Sequence, residues 1–259
     1  MRIAQTRASA YETLGTAPPL TAKLARSVSL SPREMAVLAE LQVPMRPVRR
    51  HREIITEGRK YAEIYVLLEG IAIRYRVSHD GRRQVLNIVL PGDFIGFPAC
   101  FFENALFSIV ALTDTQVSAV PLSRLLTLFE RHRRLAAMLL WQFSCEAAMY
   151  AEHLIDLGRR SAVERVAHFL LELLIRLQAI GLAEARSYSL PLTQSVMGDL
   201  LGLSVAHVNR SLRQLRDDGL VSIDGRSVAI KDFEGLAAIA DFEKSYISRF
   251  RINEVLTAN

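Results

Sequence analysis

The hydrophobic period of the chain changes once, at Pro121, and that change limits the chain to an α+β fold with its strands first. From Pro44 to Val120, β-branched and aromatic residues alternate with polar ones. The runs Ile64–Leu68, Ile71–Val77, Gln84–Val89, Ser108–Leu112 and Gln116–Val120 predict strands. Glu69-Gly70, His79-Asp80-Gly81 and Pro91-Gly92-Asp93 supply turn chemistry between them, and Asp80-Gly81 predicts a tight hairpin. Short strands without intervening helices imply an antiparallel β-roll, jelly-roll or cupin-like, rather than a parallel dinucleotide-binding sheet. After Pro121 neither Gly nor Pro occurs from Leu122 to Leu157, and apolar residues recur at three and four.

That second stretch predicts one helix of about 30 residues. Leu135, Met138, Gln142, Cys145, Met149, Glu152 and Asp156 share one three-four seam, and a helix so long and apolar needs a partner. A second copy of the chain is the economical partner; packing on the chain's own β-domain is the other. The organisation expected is a flexible leader at 1–19, a β-roll domain with short N-terminal helices at 20–121 and a dimerisation helix at 122–158. A further domain follows at 159–233, and a helical extension at 234–259. Ser31-Pro32-Arg33-Glu34 and Ser161-Ala162-Val163-Glu164 each read as a capping box that opens a helix.

Residues 192–231 carry the chemistry. Thr193 predicts an N-cap, Val196, Met197, Leu200 and Leu201 an inward face, and Gly202 a stop. Ser204 then caps a second helix whose inner face is Val208, Leu212 and Leu215. This is a helix–turn–helix, and its second helix turns Val205, Ala206, Asn209, Arg210 and Arg213 outward with His207 beside them. Arg suits guanine, Asn suits adenine, and Val or Ala suits a thymine methyl in the major groove. The helix starts at Thr193-Gln194 and Ser204 suit phosphates. Asp224-Gly225-Arg226 between two short strand runs predicts a wing with Arg226 at its tip. The reading is a protein that binds double-stranded DNA.

Composition is consistent with that partner and excludes others. Net charge is +5, which suits an anionic partner. The run Arg46, Arg49, Arg50, Arg52, Arg59 and Lys60 is either a solvated strand surface or a patch for flanking DNA or an acidic protein. No window of 18 apolar residues exists and no apolar block follows Arg2 and Arg7, so neither membrane nor secretory signal is expected and the location expected is cytoplasmic. Two cysteines make neither a disulfide framework nor a CxxC motif. The six histidines lack the spacing of a cupin metal site, and no phosphate-binding loop or nucleophile elbow occurs, so no metal and no enzyme are expected.

Three motifs give the whole of residues 20–233 a family likeness. They are Pro91-Gly92-Asp93-Phe94-Ile95-Gly96, Arg165-Val166-Ala167-His168-Phe169-Leu170-Leu171, and Leu192-Thr193-Gln194 through Gly202-Leu203-Ser204 to His207-Val208-Asn209-Arg210. On them the chain resembles the Crp–Fnr superfamily of bacterial transcription regulators. The resemblance implies an effector-sensing β-roll, a long dimer helix and a winged helix–turn–helix. It further implies a homodimer on a palindromic operator, with RNA polymerase as a partner if the protein activates. The alternative is a cyclic-nucleotide-binding or cupin-like regulatory or enzymatic module without specific DNA binding.

Departures from the family pattern narrow the signal. Where cyclic-nucleotide binders of the family carry Gly-Glu and, ten residues on, Arg-Ser, this chain has Phe97 and Phe107, with only Ser108 kept. Residues 94–113 contain no Lys or Arg to meet a buried phosphate, so cAMP is not expected. Cys100 and Cys145 are too few for a four-cysteine iron–sulfur cluster, and His79 sits in a turn unsuited to haem, so no cofactor is expected. Phe97, Cys100, Phe101, Phe102, Phe107 and Ser108 occupy the pocket position, as core, as a collapsed pocket or as the site of an unidentified apolar effector. Cys100 has no neighbouring cation in sequence to make it a redox sensor. Val205-Ala206 replaces the Arg-Glu of the guanine-rich half-site readers, so a different half-site is expected.

Overall fold

The computed structural model describes residues 17–190 and 192–248. Most of the leader, the end of the extension from 249 and its Phe250 therefore lie outside the described residues. By contact the chain forms two units: residues 17–76 with 87–142, and residues 77–86 with 143–248.

The first unit opens with two short helices, α1 (Pro19–Ala25) and α2 (Pro32–Glu40). The Ser31–Glu34 capping box forms as the sequence predicts, with both side chains reaching the opposite backbone N–H. Eight strands follow: β1 (Met45–Val48), β2 (Glu53–Ile55), β3 (Glu63–Glu69), β4 (Ala72–Val77), β5 (Arg83–Val89), β6 (Phe94–Ile95), β7 (Ser108–Ala111) and β8 (Thr115–Pro121). They make two antiparallel sheets, ordered β1-β8-β3-β6 and β2-β7-β4-β5. Between the sheets Ile55, Leu67, Ala72, Val89, Ile95, Ala99, Ala105, Ile109 and Val117 form a buried core. The alternation of the five long runs suffices to predict their strands; β1, β2 and β6, only two to four residues long, lack a readable period.

Two helices then replace the single one expected. α3 (Leu122–Arg131) ends at His132, whose backbone (φ −133°, ψ 72°) is not helical, and α4 runs from Arg133 to Arg159. No Pro or Gly marks the break, so the apolar period continues across it unaltered. Gly158, the last residue of the expected dimerisation helix, lies inside α4, where a solvent-facing Gly costs about 1 kcal/mol without ending the helix.

The seam assigned to a second copy is also corrected. Leu135, Met138, Gln142, Met149 and Asp156 are buried within this chain, with Cys145 and Glu152 half-buried. Gln142 Nε2 donates to Gly92 O at 2.9 Å, which fixes this face inward. Among the exposed residues of α4, Leu140, Ser144, Ala147, Ala151, Leu154 and Gly158 form another stripe, again spaced by four and three. Periodicity finds a stripe on a helix but not which of two stripes the chain itself covers.

The second unit is built on α5 (Ala162–Gln178), opened by the Ser161–Glu164 capping box. It continues with β9 (Ala183–Glu184), β10 (Ser187–Ser189), α6 (Gln194–Leu201), α7 (Val205–Asp217), β11 (Val221–Asp224), β12 (Ser227–Ile230), α8 (Phe233–Ala240) and α9 (Ser245–Ser248). Its sheet has the order β11-β12-β10-β9, so the wing hairpin gains a third strand through the pairing Tyr188↔Val228. The extension expected as one helix is two short ones, separated at Asp241 in the left-handed region (φ 47°), and both pack on α5.

Candidate nucleic-acid interface and sensor interior

α6 and α7 take their positions from three local features. Thr193 Oγ1 accepts from Val196 N (3.3 Å), and Ser204 Oγ accepts from His207 N (3.3 Å), so each helix starts on its own side-chain cap. Gly202 between them adopts φ 64°, the left-handed turn a glycine supplies. Gly198 has a packing role that the sequence reading missed: a Cβ there would stand 2.5 Å from Leu203 O, so only glycine lets the turn fold back onto α6. Arg165 ties the turn to α5 by donating to Leu201 O (3.1 Å) and Arg160 O (2.9 Å). Asp199 of α6 accepts two bonds from Arg83, at 2.6 and 2.8 Å, within the same unit.

Val208, Ser211, Leu212 and Leu215 of α7 are buried. At about 100° per residue, Ala206, Arg210 and Arg213 fall on the opposite side, with Asn209 and His207 on its two flanks. All five are exposed, as are Val205, Ser204, Thr193 and Gln194. The structure thus brings the expected set together on one unit. Arg226 is exposed in the β11–β12 turn, whose Gly225 adopts φ 56° and whose Arg226 O accepts from Leu190 N at 2.6 Å. Among the described residues no ion pair engages Arg210, Arg213 or Arg226. An exposed helix face with guanidinium groups not neutralised by carboxylates, beside a basic hairpin tip, is suited to phosphates and base edges.

The residues expected to line an effector pocket differ in exposure. Phe101 and Phe102 are each 54% exposed, while Phe97, Cys100 and Phe107 are half-buried. Phe97 and Phe101 meet edge to face at 5.1 Å. Ser108 is buried, and its Oγ accepts from Glu57 N at 3.0 Å. The phenylalanines lie on the turn-rich segment 96–107, which points part of the apolar surface outward. Cys100 Sγ lies 3.1 Å from Phe97 O, and burial pushes its thiol up rather than down, so it is not activated as a thiolate.

A Cβ on Gly96 would overlap Ile55 Cδ1, so the turn after β6 packs directly against a core side chain. The roll does hold a cation that sequence reading missed, Arg74 of β4, only 3% exposed. It shares the strand face of Ala72, but it stands outside the 94–113 segment that would carry the phosphate.

Residues 164–239 match the Crp-like helix-turn-helix domain and residues 45–132 the cyclic nucleotide-binding domain. The nitrogen fixation regulation protein FixK of Azorhizobium caulinodans is 31% identical over 218 residues, covering 83% of this chain and 86% of that protein. The chain belongs to the Crp–Fnr family of transcription regulators. The transcriptional activator protein Anr of Pseudomonas aeruginosa is 28% identical over 219 residues, covering 85% of this chain and 89% of its own. The structure of FixK2 from Bradyrhizobium japonicum superposes with a TM-score of 0.68 at 30% identity, covering 76% of this chain and 96% of that one. This Crp–Fnr protein is therefore a DNA-binding transcription regulator and not an enzyme, and a module without specific DNA binding is not favoured. No helix among its described residues is long and apolar enough to cross a membrane.

Proposed function

We propose that the protein acts as a homodimer on a palindromic operator, one α7 per half-site. The observation that carries this is the exposed outer face of α7, with Asn209, Arg210 and Arg213 beside a wing that offers Arg226. In this reading Arg210 and Asn209 read base edges, Val205 and Ala206 meet thymine methyls, and Arg213 and Arg226 hold phosphates. The cap residues Thr193, Gln194 and Ser204 bring helix N-termini to the backbone. The exposed stripe of α4 supports pairing with a second copy, since its small residues Ser144, Ala147 and Ala151 let two helices approach between Leu140 and Leu154. Relatives named as transcriptional activators support activation through RNA polymerase. The β-roll is the regulatory half, and the lack of Lys and Arg across 94–113 argues against cAMP as the signal.

Selection from a random duplex pool at about 150 mM salt tests the reading, because specificity has meaning only at a stated ionic strength. The expected product is a palindrome with half-site centres about 10 base pairs apart. Recovery of single, unrepeated sites would overturn the dimeric reading. Arg210→Ala costs about 1–3 kcal/mol on the selected operator and relaxes preference at one position of each half-site. An equal loss on scrambled DNA would assign Arg210 to a phosphate instead.

A further inference from the structure

The first turn of α7 contains a side-chain contact that capping alone does not need. Ser204 Oγ accepts the backbone N–H of His207, as an N-cap does, and it also lies 2.8 Å from His207 Nδ1. The hydroxyl has one proton and two lone pairs; with the backbone N–H on one lone pair, its proton can be given to Nδ1. A neutral imidazole that accepts at Nδ1 carries its own proton at Nε2. The two ring nitrogens face apart, so this N–H is turned away from Ser204. His207 is exposed, on the flank of the outer face opposite Asn209.

We propose that His207 is a specificity-determining residue whose Nε2–H, held in that tautomer and direction by Ser204, donates to a base-edge acceptor in the major groove. The inference rests on the reading of α7 as the recognition helix. Guanine offers acceptors there at O6 and N7, adenine at N7 and thymine at O4, whereas cytosine offers a donor at N4. The contacted position therefore rejects cytosine. One donor gives a discrimination of about five- to tenfold, the low end of what a bidentate pair provides. Ser204 is a positioning residue: it touches no base and acts by denying His207 a free ring and a free choice of tautomer.

The experiment is duplex selection with the full chain, followed by affinity measurements on operators changed one base pair at a time. His207→Ala is expected to flatten one position per half-site. Ser204→Gly is expected to flatten the same position, although glycine is nearly as good an N-cap as serine. Ser204→Thr restores the hydroxyl and the preference. His207→Ala combined with Ser204→Gly loses no more at that position than His207→Ala alone, because the two side chains act as one device. A Ser204→Gly protein that keeps the full preference would overturn the role of Ser204. A His207→Ala protein weakened equally on every sequence would place His207 on a phosphate and overturn its role in specificity. If the unaltered chain selects no specific duplex, the recognition-helix reading itself falls and takes this inference with it.

Discussion

Leu140→Asp together with Leu154→Asp yields a folded monomer that no longer holds its operator. Leu140 is 57% exposed and Leu154 70%, so aspartate at either position costs the isolated chain little. In a symmetric dimer through the α4 stripe each leucine is buried twice, once per copy, at about 1.5–3 kcal/mol apiece. Losing four such side chains and placing carboxylates across the twofold axis raises the dimer dissociation constant by roughly four decades or more. A monomer reaches only one half-site and loses the about 10²–10⁴-fold gain of a tethered second contact. Sedimentation at micromolar concentration reads the first effect and titration of the selected operator reads the second. Met138→Asp is the contrast: Met138 is fully buried inside the chain, so a charge there unfolds the protein instead of splitting a dimer. A doubly substituted chain that sediments as a dimer would remove α4 from the interface.

How far the sequence speaks depends on how local the determinant is. Thr193, Gly202 and Ser204 were legible because a cap or a left-handed turn is decided within three residues, and Asp224-Gly225-Arg226 for the same reason. The face of α4 was not legible, since two stripes recur at the same three-four spacing and only the rest of the chain decides which is covered. Arg74 was missed because a cation in an alternating strand reads as outward-facing, yet Ala72 and Arg74 share the inner face. Strands β9 and β10 exist because the wing offers β12 as a template, and two or three residues carry no period of their own. The exposure of Phe101 and Phe102 was not legible in the phenylalanine-rich run 97–107, because composition does not say where a turn-rich segment points. His153 and Glu172 are separated in sequence by a whole helical turn-around, so nothing local announces their pairing.

That pairing gives the second large effect: Glu172→Gln destabilises the second unit by about 3–5 kcal/mol, the usual result of removing one partner of a buried ion pair. Glu172 is buried on α5, with His153 Nε2 of α4 at 3.0 Å, Arg176 at 3.3 Å and the Tyr246 hydroxyl of α9 donating at 3.3 Å. Around them Arg160 pairs with Asp156 (2.8 Å) and Glu152 (3.1 Å), and His168 Nδ1 stands 3.2 Å from Asp156. Burial alone would raise the Glu172 carboxyl, but the charge of His153 and its hydrogen bond, then Arg176 and His168, outweigh it and hold the group at about 2. For His153 burial works against the proton, and the Glu172 carboxylate more than offsets it, so its pKa is raised. A carboxylate depressed on folding stabilises above its unfolded pKa of about 4.3 and loses that contribution as pH falls toward 2. A histidine raised on folding stabilises fully below about pH 6.5 and loses that contribution as pH rises through its folded value. The pair is therefore worth most between about pH 4.5 and 6.5 and declines on both sides. Glu172→Gln removes both limbs at once, so the variant melts lower than the unaltered protein and its melting temperature depends less on pH. Thermal unfolding of the two proteins between pH 4 and 9 measures both changes, and parallel curves would show that the pair does not control the pH dependence. Because the cluster joins α4 to α5 and α9, its loss reaches the helices that carry the DNA-reading face before it reaches the β-roll.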